Sequence, residues 1–195
     1  MKKTYSFLAA TLFFFSTYAT NYPGNGNTGI SGGTIGLGSL DITSTATDFT
    51  FKLNRGSGDF NDVLVIYIDS KGSGFPSTAN FTDGSNDLTK AMSGFDGGSN
   101  RADFNFAPGF LPDFALAFKP IAGGKGKALL VRLSDNTVFT VKDQPALSNN
   151  ATVSADNYEV TIKSSDISTP SAFKFVATYI SVTGYRYNEA IGDPM

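Results

Sequence analysis

The residues with the clearest binding chemistry lie near the C-terminal end, in the segment GYRYNEAIG at 184–192. If this segment is a strand, Tyr185, Tyr187 and Glu189 share one face, while Arg186 and Asn188 share the other. Tyrosine rings offer flat apolar faces on which sugar rings stack, and planar polar groups read sugar hydroxyls. These five residues are therefore predicted to bind a carbohydrate. The alternative is that the tyrosines close one end of the core and Arg186 pairs with a surface carboxylate.

A second group of polar residues has the chemistry of a calcium site. Asp83, Ser85 and Asp87 alternate along one stretch, and Asp96 and Asp103 follow in a glycine-rich one. Crowded hard oxygen ligands in a loop suit Ca²⁺, which takes six to eight oxygens. The EF-hand pattern fails, because a loop starting at Asp83 lacks the required Gly and Glu. Aspartates are also ordinary turn formers, so the sequence leaves open a structural calcium ion or no cofactor at all.

Composition argues against catalysis. The chain contains no His and no Cys, which excludes His-dependent triads, thiol nucleophiles and zinc sites of the usual type. Glu159 and Glu189 are the only glutamates, and neither lies in a recognisable catalytic motif. No nucleophile elbow and no phosphate-binding loop occurs. We therefore predict that the protein is not an enzyme.

The N-terminal residues predict export. A basic start is followed by nine apolar residues at 7–15 and a small-residue cleavage site after Ala19, so residues 1–19 are interpreted as a signal peptide. The apolar run is too short for a membrane anchor. Removal of Lys2 and Lys3 leaves 13 basic against 17 acidic residues, a net charge of −4. This mild acidity argues against nucleic acid and anionic membranes as partners, and the predicted location is extracellular or at the cell surface.

The rest of the chain predicts a single domain of short strands. Hydrophobic residues alternate with period two, between turn residues, at 47–53, 101–106, 113–118, 136–141, 157–163 and 184–191. Residues 62–69, 127–133 and 172–182 form more continuous apolar runs, with a tight hairpin expected around residues 134–135. Only residues 85–93 have room for a helical turn. Nine or so strands without intervening helices predict an all-β, antiparallel sandwich over residues 40–195, jelly-roll-like or DOMON-like.

Residues 20–39 are predicted to form a flexible arm rich in Gly and Asn. The alternative is that residues 21–40 pair with the sheet edge of a neighbouring subunit, using apolar residues such as Ile30 and Ile35. Only 16% of the residues are charged, so few charged side chains are present to oppose such pairing at the sheet edges. The chain is thus interpreted as a glycan-binding module, with a structural subunit of a surface layer, filament or biofilm matrix as the alternative.

Three fragments occur in a characteristic order. They are VIYID at 65–69 before a Gly-rich turn, YEVTI at 158–162 before Ser-Asp-Ile at 165–167, and FKFV at 173–176. In this order they resemble the β-sandwich superfamily that contains DOMON domains and the family 9 carbohydrate-binding modules. Residues 67–70, 180–181 and 184–192 also resemble uncharacterised secreted bacterial proteins. The resemblance implies a sandwich fold, but the chain lacks the Trp on which family 9 modules stack sugar and the His of haem-type DOMON domains.

Overall fold

Two antiparallel β-sheets form from the alternating and continuous apolar segments of the sequence. The computed structural model describes residues 18–121, 124–134, 138–148 and 152–192. Within these ranges the first sheet contains, in spatial order, β1 (Tyr18–Pro23), β2 (Ser39–Ser44), β3 (Asp48–Asn54), β9 (Asn157–Lys163) and β8 (Leu147–Ser148). The second contains β11 (Arg186–Gly192), β10 (Lys174–Ile180), β4 (Val63–Asp69), β5 (Phe114–Ile121), β6 (Gly124–Arg132) and β7 (Thr140–Asp143). The two sheets pack against each other, so the predicted all-β antiparallel sandwich is confirmed.

Strand β4 lies inside the second sheet, and all seven of its residues are buried. Leu64 and Ile66 point into the core between the two sheets, whereas Val65 and Tyr67 point into a second core on the opposite face. Because both faces of β4 are covered, its sequence is a continuous apolar run and does not alternate. The predicted central position of residues 62–69 is therefore confirmed.

Residues 70–113, which connect β4 to β5, form the layer that covers this second core. They include the helix α1 (Asp87–Ser93), whose N-cap Asn86 accepts hydrogen bonds from the backbone N–H groups of Leu88 and Thr89. Gly94 ends the helix with φ of 67°, a conformation that glycine adopts without strain. The single helical turn expected within residues 85–93 is thus a seven-residue helix.

One predicted strand is wrong. Residues 101–106 are irregular and make only isolated bridges, Phe95 to Arg101 and Ser77 to Asn105. Phe104 and Phe106 share one side because both rings contact Tyr67, with centroid separations of 5.6 and 5.0 Å. Their period-two spacing reflects packing on the face of an existing sheet and not membership of a ladder.

The segment predicted as a flexible arm, residues 20–39, packs on the sandwich in this structure. β1 pairs along its whole length with β2, and the loop at residues 24–38 joins the two strands. Within this loop Thr34 and Ile35 are completely buried. β1 starts at Tyr18, so it includes the last two residues of the predicted signal peptide; residues 1–17 lie outside the described part of the chain.

The remaining strand predictions agree with the structure to within a few residues. The hairpin between residues 127–133 and 136–141 corresponds to the antiparallel pair β6 and β7, although Asp135 at its turn lies outside the described residues. In the described ranges no helix has the length and hydropathy of a membrane span.

Candidate functional site

The segment predicted to bind carbohydrate corresponds to edge strand β11 and the residue before it. Alternation along the strand separates the predicted residues as expected. Tyr187 and Ile191 belong to the core between the sheets, whereas Arg186 lies over the ring of Phe104 in the outer layer, with its Cζ atom 4.5 Å from the ring centroid. Tyr185, Arg186 and Asn188 are exposed. The structure thus divides the predicted residues between two environments and does not bring them together in one site.

Glu189 differs from its neighbours because it is completely buried. Its Oε2 atom accepts hydrogen bonds from the backbone N–H groups of Ile35, at 2.7 Å, and Gly36, at 3.0 Å. Its Oε1 atom accepts from Gly33 N, at 3.2 Å, and from the Ser31 hydroxyl. These four donors hold the loop of residues 24–38 onto β11. Since every donor comes from within the protein, Glu189 is a structural anchor and we leave it out of the binding surface.

Tyr187 closes one end of the core, which is the alternative that the sequence left open for the tyrosines. Its ring stacks on Tyr179 with centroids 4.7 Å apart, and its hydroxyl donates to Asp62 Oδ2 at 2.5 Å. Burial, followed by the hydrogen bond to Asp62, raises the pKa of Tyr187 well above its ordinary value. The phenol therefore stays neutral and remains a donor at physiological pH. Tyr185 packs edge-on against Tyr187 and is 52% exposed, so its ring is available at the rim.

A groove opens beside β11 on the outer face of the second sheet, and we call it the phenylalanine groove. Its volume is about 190 Å³, and its walls include Phe104, Phe106, Phe110, Lys174, Val176 and Gly192. Phe104 and Phe106 are nearly parallel, with an angle of 11° and centroids 6.3 Å apart, and Phe110 meets Phe106 edge-on at 5.5 Å. Phe104 and Phe106 are only partly buried. The groove is smaller than a typical pocket for a drug-sized ligand, roughly 300–1,000 Å³, and suits one unit of a longer chain.

Gly192 lines the groove without a side chain. A Cβ atom at this position meets only Val176 Cγ2, at 3.9 Å, which is ordinary van der Waals contact. A side chain placed there therefore has room on the groove side without disturbing the backbone. This makes Gly192 a position at which the groove can be filled by a single substitution.

One cation, Lys174, lines the phenylalanine groove, and a second, Arg186, lies over its wall residue Phe104. Lys174 donates from Nζ to the carbonyl of Gly109 at 3.1 Å and is exposed. Arg186 lies over Phe104, and no described residue accepts a hydrogen bond from its guanidinium group. Two carboxylates beside these residues have other partners. Asp103, next to Phe104, accepts from Arg101 Nε at 2.6 Å, and Asp69, the cross-strand neighbour of Lys174, accepts from backbone N–H groups. The two cations therefore keep donors available to a ligand.

A larger cavity of about 360 Å³ lies elsewhere, between Phe75, Asp113 and Arg132. Its carboxylate is already used within the protein, because Asp113 accepts hydrogen bonds from the backbone N–H groups of Ser70 and Lys71 at 3.1 and 2.8 Å. These bonds fix the turn after β4. We therefore regard the polar lining of this cavity as part of the fold.

The residues predicted to bind calcium are dispersed among separate contacts. Asp83 is buried and accepts from Ser85 N, from the Ser85 hydroxyl and, at 2.7 Å, from Phe139 N. Asp87 contacts Lys119 Nζ at 3.4 Å. Hydrogen bonds from Gly98 and Asn100 hold the pKa of Asp96 below its ordinary value.

Asp103, the fourth predicted ligand, pairs with Arg101. In the described ranges no group of three or more Asp, Glu, His or Cys side chains converges in a way that would hold a metal ion. The calcium site therefore stays a sequence-based prediction.

Comparison of the chain with protein-family models, with curated proteins and with solved structures finds no match. The resemblance to the superfamily of DOMON domains and family 9 modules thus stays a prediction beyond its fold class.

Sequence reasoning missed the phenylalanine groove, although it noted the period-two pattern at residues 101–106, which contains Phe104 and Phe106. The signal available was the cluster of phenylalanines at 104, 106 and 110, an aromatic spacing of two and four residues outside any regular strand. The interpretation of residues 101–106 as a strand hid it, because a strand would place these rings in the core between the sheets.

Proposed function

We propose that the protein is an exported, non-catalytic module that binds extracellular glycan through the phenylalanine groove and Arg186. The observation that carries the proposal is the position of the Arg186 guanidinium over Phe104, one of the aromatic rings that wall the groove. Apolar faces receive the C–H face of a sugar, and a planar group with several donors reads its hydroxyl groups. Both requirements are met by partly exposed side chains.

Two further features support binding over catalysis. The chain has no His and no Cys, and the buried carboxylates described above, Glu189 and Asp83, take their hydrogen bonds from within the protein. The described groove residues include no carboxylate, so they supply no pair of a general acid and a nucleophile. Export is supported by the sequence of residues 1–19 alone.

The test is affinity electrophoresis of the purified protein through gels containing a panel of neutral and acidic polysaccharides. We expect at least one polysaccharide to retard the wild type, and we expect Gly192→Leu to remove the retardation by filling the groove. Thr161→Leu places the same leucine side chain at an exposed position on the first sheet and should leave the retardation unchanged.

Each outcome of this experiment decides the proposal. Equal retardation of wild type and Gly192→Leu would place binding outside the groove. Loss of retardation in Tyr185→Ala but not in Gly192→Leu would mean that the glycan binds at Tyr185 and not in the groove. Absence of retardation by every polysaccharide in the panel would overturn glycan binding itself.

A second candidate is an assembly subunit, and the edge strand β7 favours it. In the described part of the chain β7 pairs only with β6, which leaves its other edge open. Val138 is 61% exposed and Val141 is 51% exposed, an apolar pair beside that edge. An open edge with exposed apolar residues is a template for pairing with another copy. Residues 21–40, the segment first considered for this role, contact β3, β11 and Gly56 within the chain, and their pairing with a neighbouring subunit stays a prediction.

The assembly candidate is tested by light scattering over a range of protein concentrations. A subunit that pairs through β7 forms concentration-dependent oligomers, and Val141→Lys should disperse them because a charged side chain on the edge opposes pairing. A monomer at all concentrations, or oligomers that persist in Val141→Lys, would remove this candidate.

A further inference from the structure

We infer that the phenylalanine groove selects an acidic glycan, one whose sugars carry carboxylate groups, and this inference rests on the proposed function. The groove combines an apolar aromatic wall with one lining cation, Lys174, and a second cation, Arg186, lies over the wall residue Phe104, on a protein whose overall charge is negative. Positive charge at the groove of an otherwise acidic protein favours a negatively charged ligand. A neutral sugar needs an apolar face and hydrogen-bond donors, but it gains nothing from a second positive charge.

The charged residues around the groove favour a negatively charged ligand. Lys174 is the only charged residue among the described residues that line the groove, and Arg186 lies against its wall. Asp103, the acid adjacent to Phe104, is paired with Arg101. Asp69, the cross-strand neighbour of Lys174, accepts from Gly72 N at 2.7 Å and Leu111 N at 3.0 Å. The described residues that line the groove therefore carry one positive charge and no negative charge.

The position of Arg186 over Phe104 suits a carboxylate ligand. Contact between the guanidinium and the ring of Phe104 is favourable and holds the long side chain over the groove margin. A guanidinium group that covers a ring keeps the N–H bonds at its edge free, and two parallel N–H bonds match the two oxygens of a carboxylate. Lys174 has donors left over after its bond to Gly109 and adds a second positive charge.

A uronate is the sugar unit whose chemistry matches these groups. A uronate combines an apolar ring face with one carboxylate on the ring, which is the combination that the aromatic wall and the cations present together. Adjacent units of a polyuronate repeat this combination along an extended chain. The groove, of about 190 Å³, accommodates one such unit of the chain.

The experiment compares the wild type on polygalacturonate, on neutral galactan and on dextran sulfate, by isothermal titration calorimetry at low and moderate salt. We expect binding of polygalacturonate at least tenfold tighter than binding of galactan or dextran sulfate, weakening as salt rises. Lys174→Gln and Arg186→Gln should each weaken polygalacturonate binding about tenfold, in line with the loss of one charge-assisted contact. Lys163→Gln removes an exposed positive charge from the first sheet and should change binding less than twofold.

The possible results separate the inference from the proposed function. Equal binding of galactan and polygalacturonate would overturn the acidic selectivity and leave glycan binding intact. Dextran sulfate bound as tightly as polygalacturonate would overturn the assignment to carboxylate. An equal loss of affinity in Lys163→Gln and Arg186→Gln would mean that net charge and not the groove attracts the polymer. If none of the three polymers binds, the inference fails; the proposed function then stands or falls with the wider panel above.

Discussion

The substitution Glu189→Gln tests whether a buried carboxylate anchors the N-terminal loop to the last strand. The glutamine keeps the shape of the side chain but replaces one acceptor oxygen with an NH₂ group. In one orientation the NH₂ group faces Ser31 and Gly33; the Ser31 hydroxyl can accept from it, but the Gly33 N–H loses its acceptor. In the other orientation the NH₂ group faces the N–H groups of Ile35 and Gly36, and both lose their acceptor. An unsatisfied buried N–H costs about 1–3 kcal/mol, and the remaining bonds lose their charge assistance. We expect a loss of about 2–4 kcal/mol in the free energy of unfolding.

Urea denaturation measures this loss, and amide hydrogen exchange locates it. The amides of Gly33, Ile35 and Gly36 should exchange much faster in the variant, while amides of β4 keep their protection relative to global unfolding. Asp156→Asn makes the same chemical change at an exposed position and should alter the stability by less than about 0.5 kcal/mol. A loss below about 1 kcal/mol in Glu189→Gln, with unchanged exchange at the three amides, would refute the anchor.

Three other predictions concern core tyrosines and the predicted calcium ligands. Burial raises the pKa values of Tyr67 and Tyr179, and it raises the pKa of Tyr158 to about 12. The stabilisation that these neutral tyrosines contribute is therefore fully present below a pH of about 10, the pKa of an unperturbed tyrosine, and is lost as the pH rises from there through 12. Urea midpoints and tyrosinate absorbance should change together, and ionisation of all tyrosines near pH 10 in the folded state would contradict this. Asp83→Asn should lower the free energy of unfolding by about 1–3 kcal/mol, because one of its oxygens accepts from Phe139 N, and a change under about 0.5 kcal/mol would show that this bond is dispensable. If the calcium prediction is correct, excess Ca²⁺ raises the melting temperature relative to a chelator, and identical melting curves would remove it.

The strands that were predicted from the sequence are those whose burial is decided locally. Residues 157–163 alternate because β9 has one face in the core and one in solvent, and Tyr158 and Val160 are buried while Thr161 is exposed. The fully apolar run of β4 predicted a central strand for the same reason. In each case the pattern along seven residues carries the information, and no distant partner is needed to interpret it.

The packing of residues 20–39 could not be predicted in the same way. The hydrogen bonds that hold this loop come largely from backbone N–H groups, including those of Gly33 and Gly36, and a backbone donor has no residue-type signature. Their acceptor, Glu189, lies more than 150 residues further along the chain. A glycine-rich segment therefore has the same composition whether it is a free arm or a loop wrapped around a carboxylate.

The groove was missed because it is assembled from distant parts of the chain. Phe104 and Phe106 come from the layer over the second core, whereas Lys174, Arg186 and Gly192 come from the two C-terminal strands. The sequence identified Arg186 as a binding residue but assigned Tyr187 and Glu189 to the same site. It had no means of knowing that the inner face of β11 is closed by Tyr179 and by the loop of residues 24–38.

Tyr67 connects the groove to the sheet and gives a test of whether the groove wall must be rigid. Its ring contacts Phe104 and Phe106, and its hydroxyl donates to the carbonyl of Met92 at 2.7 Å. Tyr67→Phe removes the hydrogen bond alone and should lower the free energy of unfolding by about 0.5–1.5 kcal/mol, with glycan affinity unchanged. Tyr67→Leu also removes the support behind both rings.

If aromatic packing holds the wall in the shape that accepts a sugar, Tyr67→Leu should weaken glycan binding several-fold even at temperatures where the variant is fully folded. Circular dichroism of each variant verifies folding, and calorimetry on the polysaccharide that binds the wild type measures the affinity. Equal affinities for Tyr67→Leu and Tyr67→Phe would mean that the two phenylalanines are held by their own layer. Loss of affinity in Tyr67→Phe would instead mean that the groove depends on the position of α1, which the hydroxyl bond to Met92 fixes.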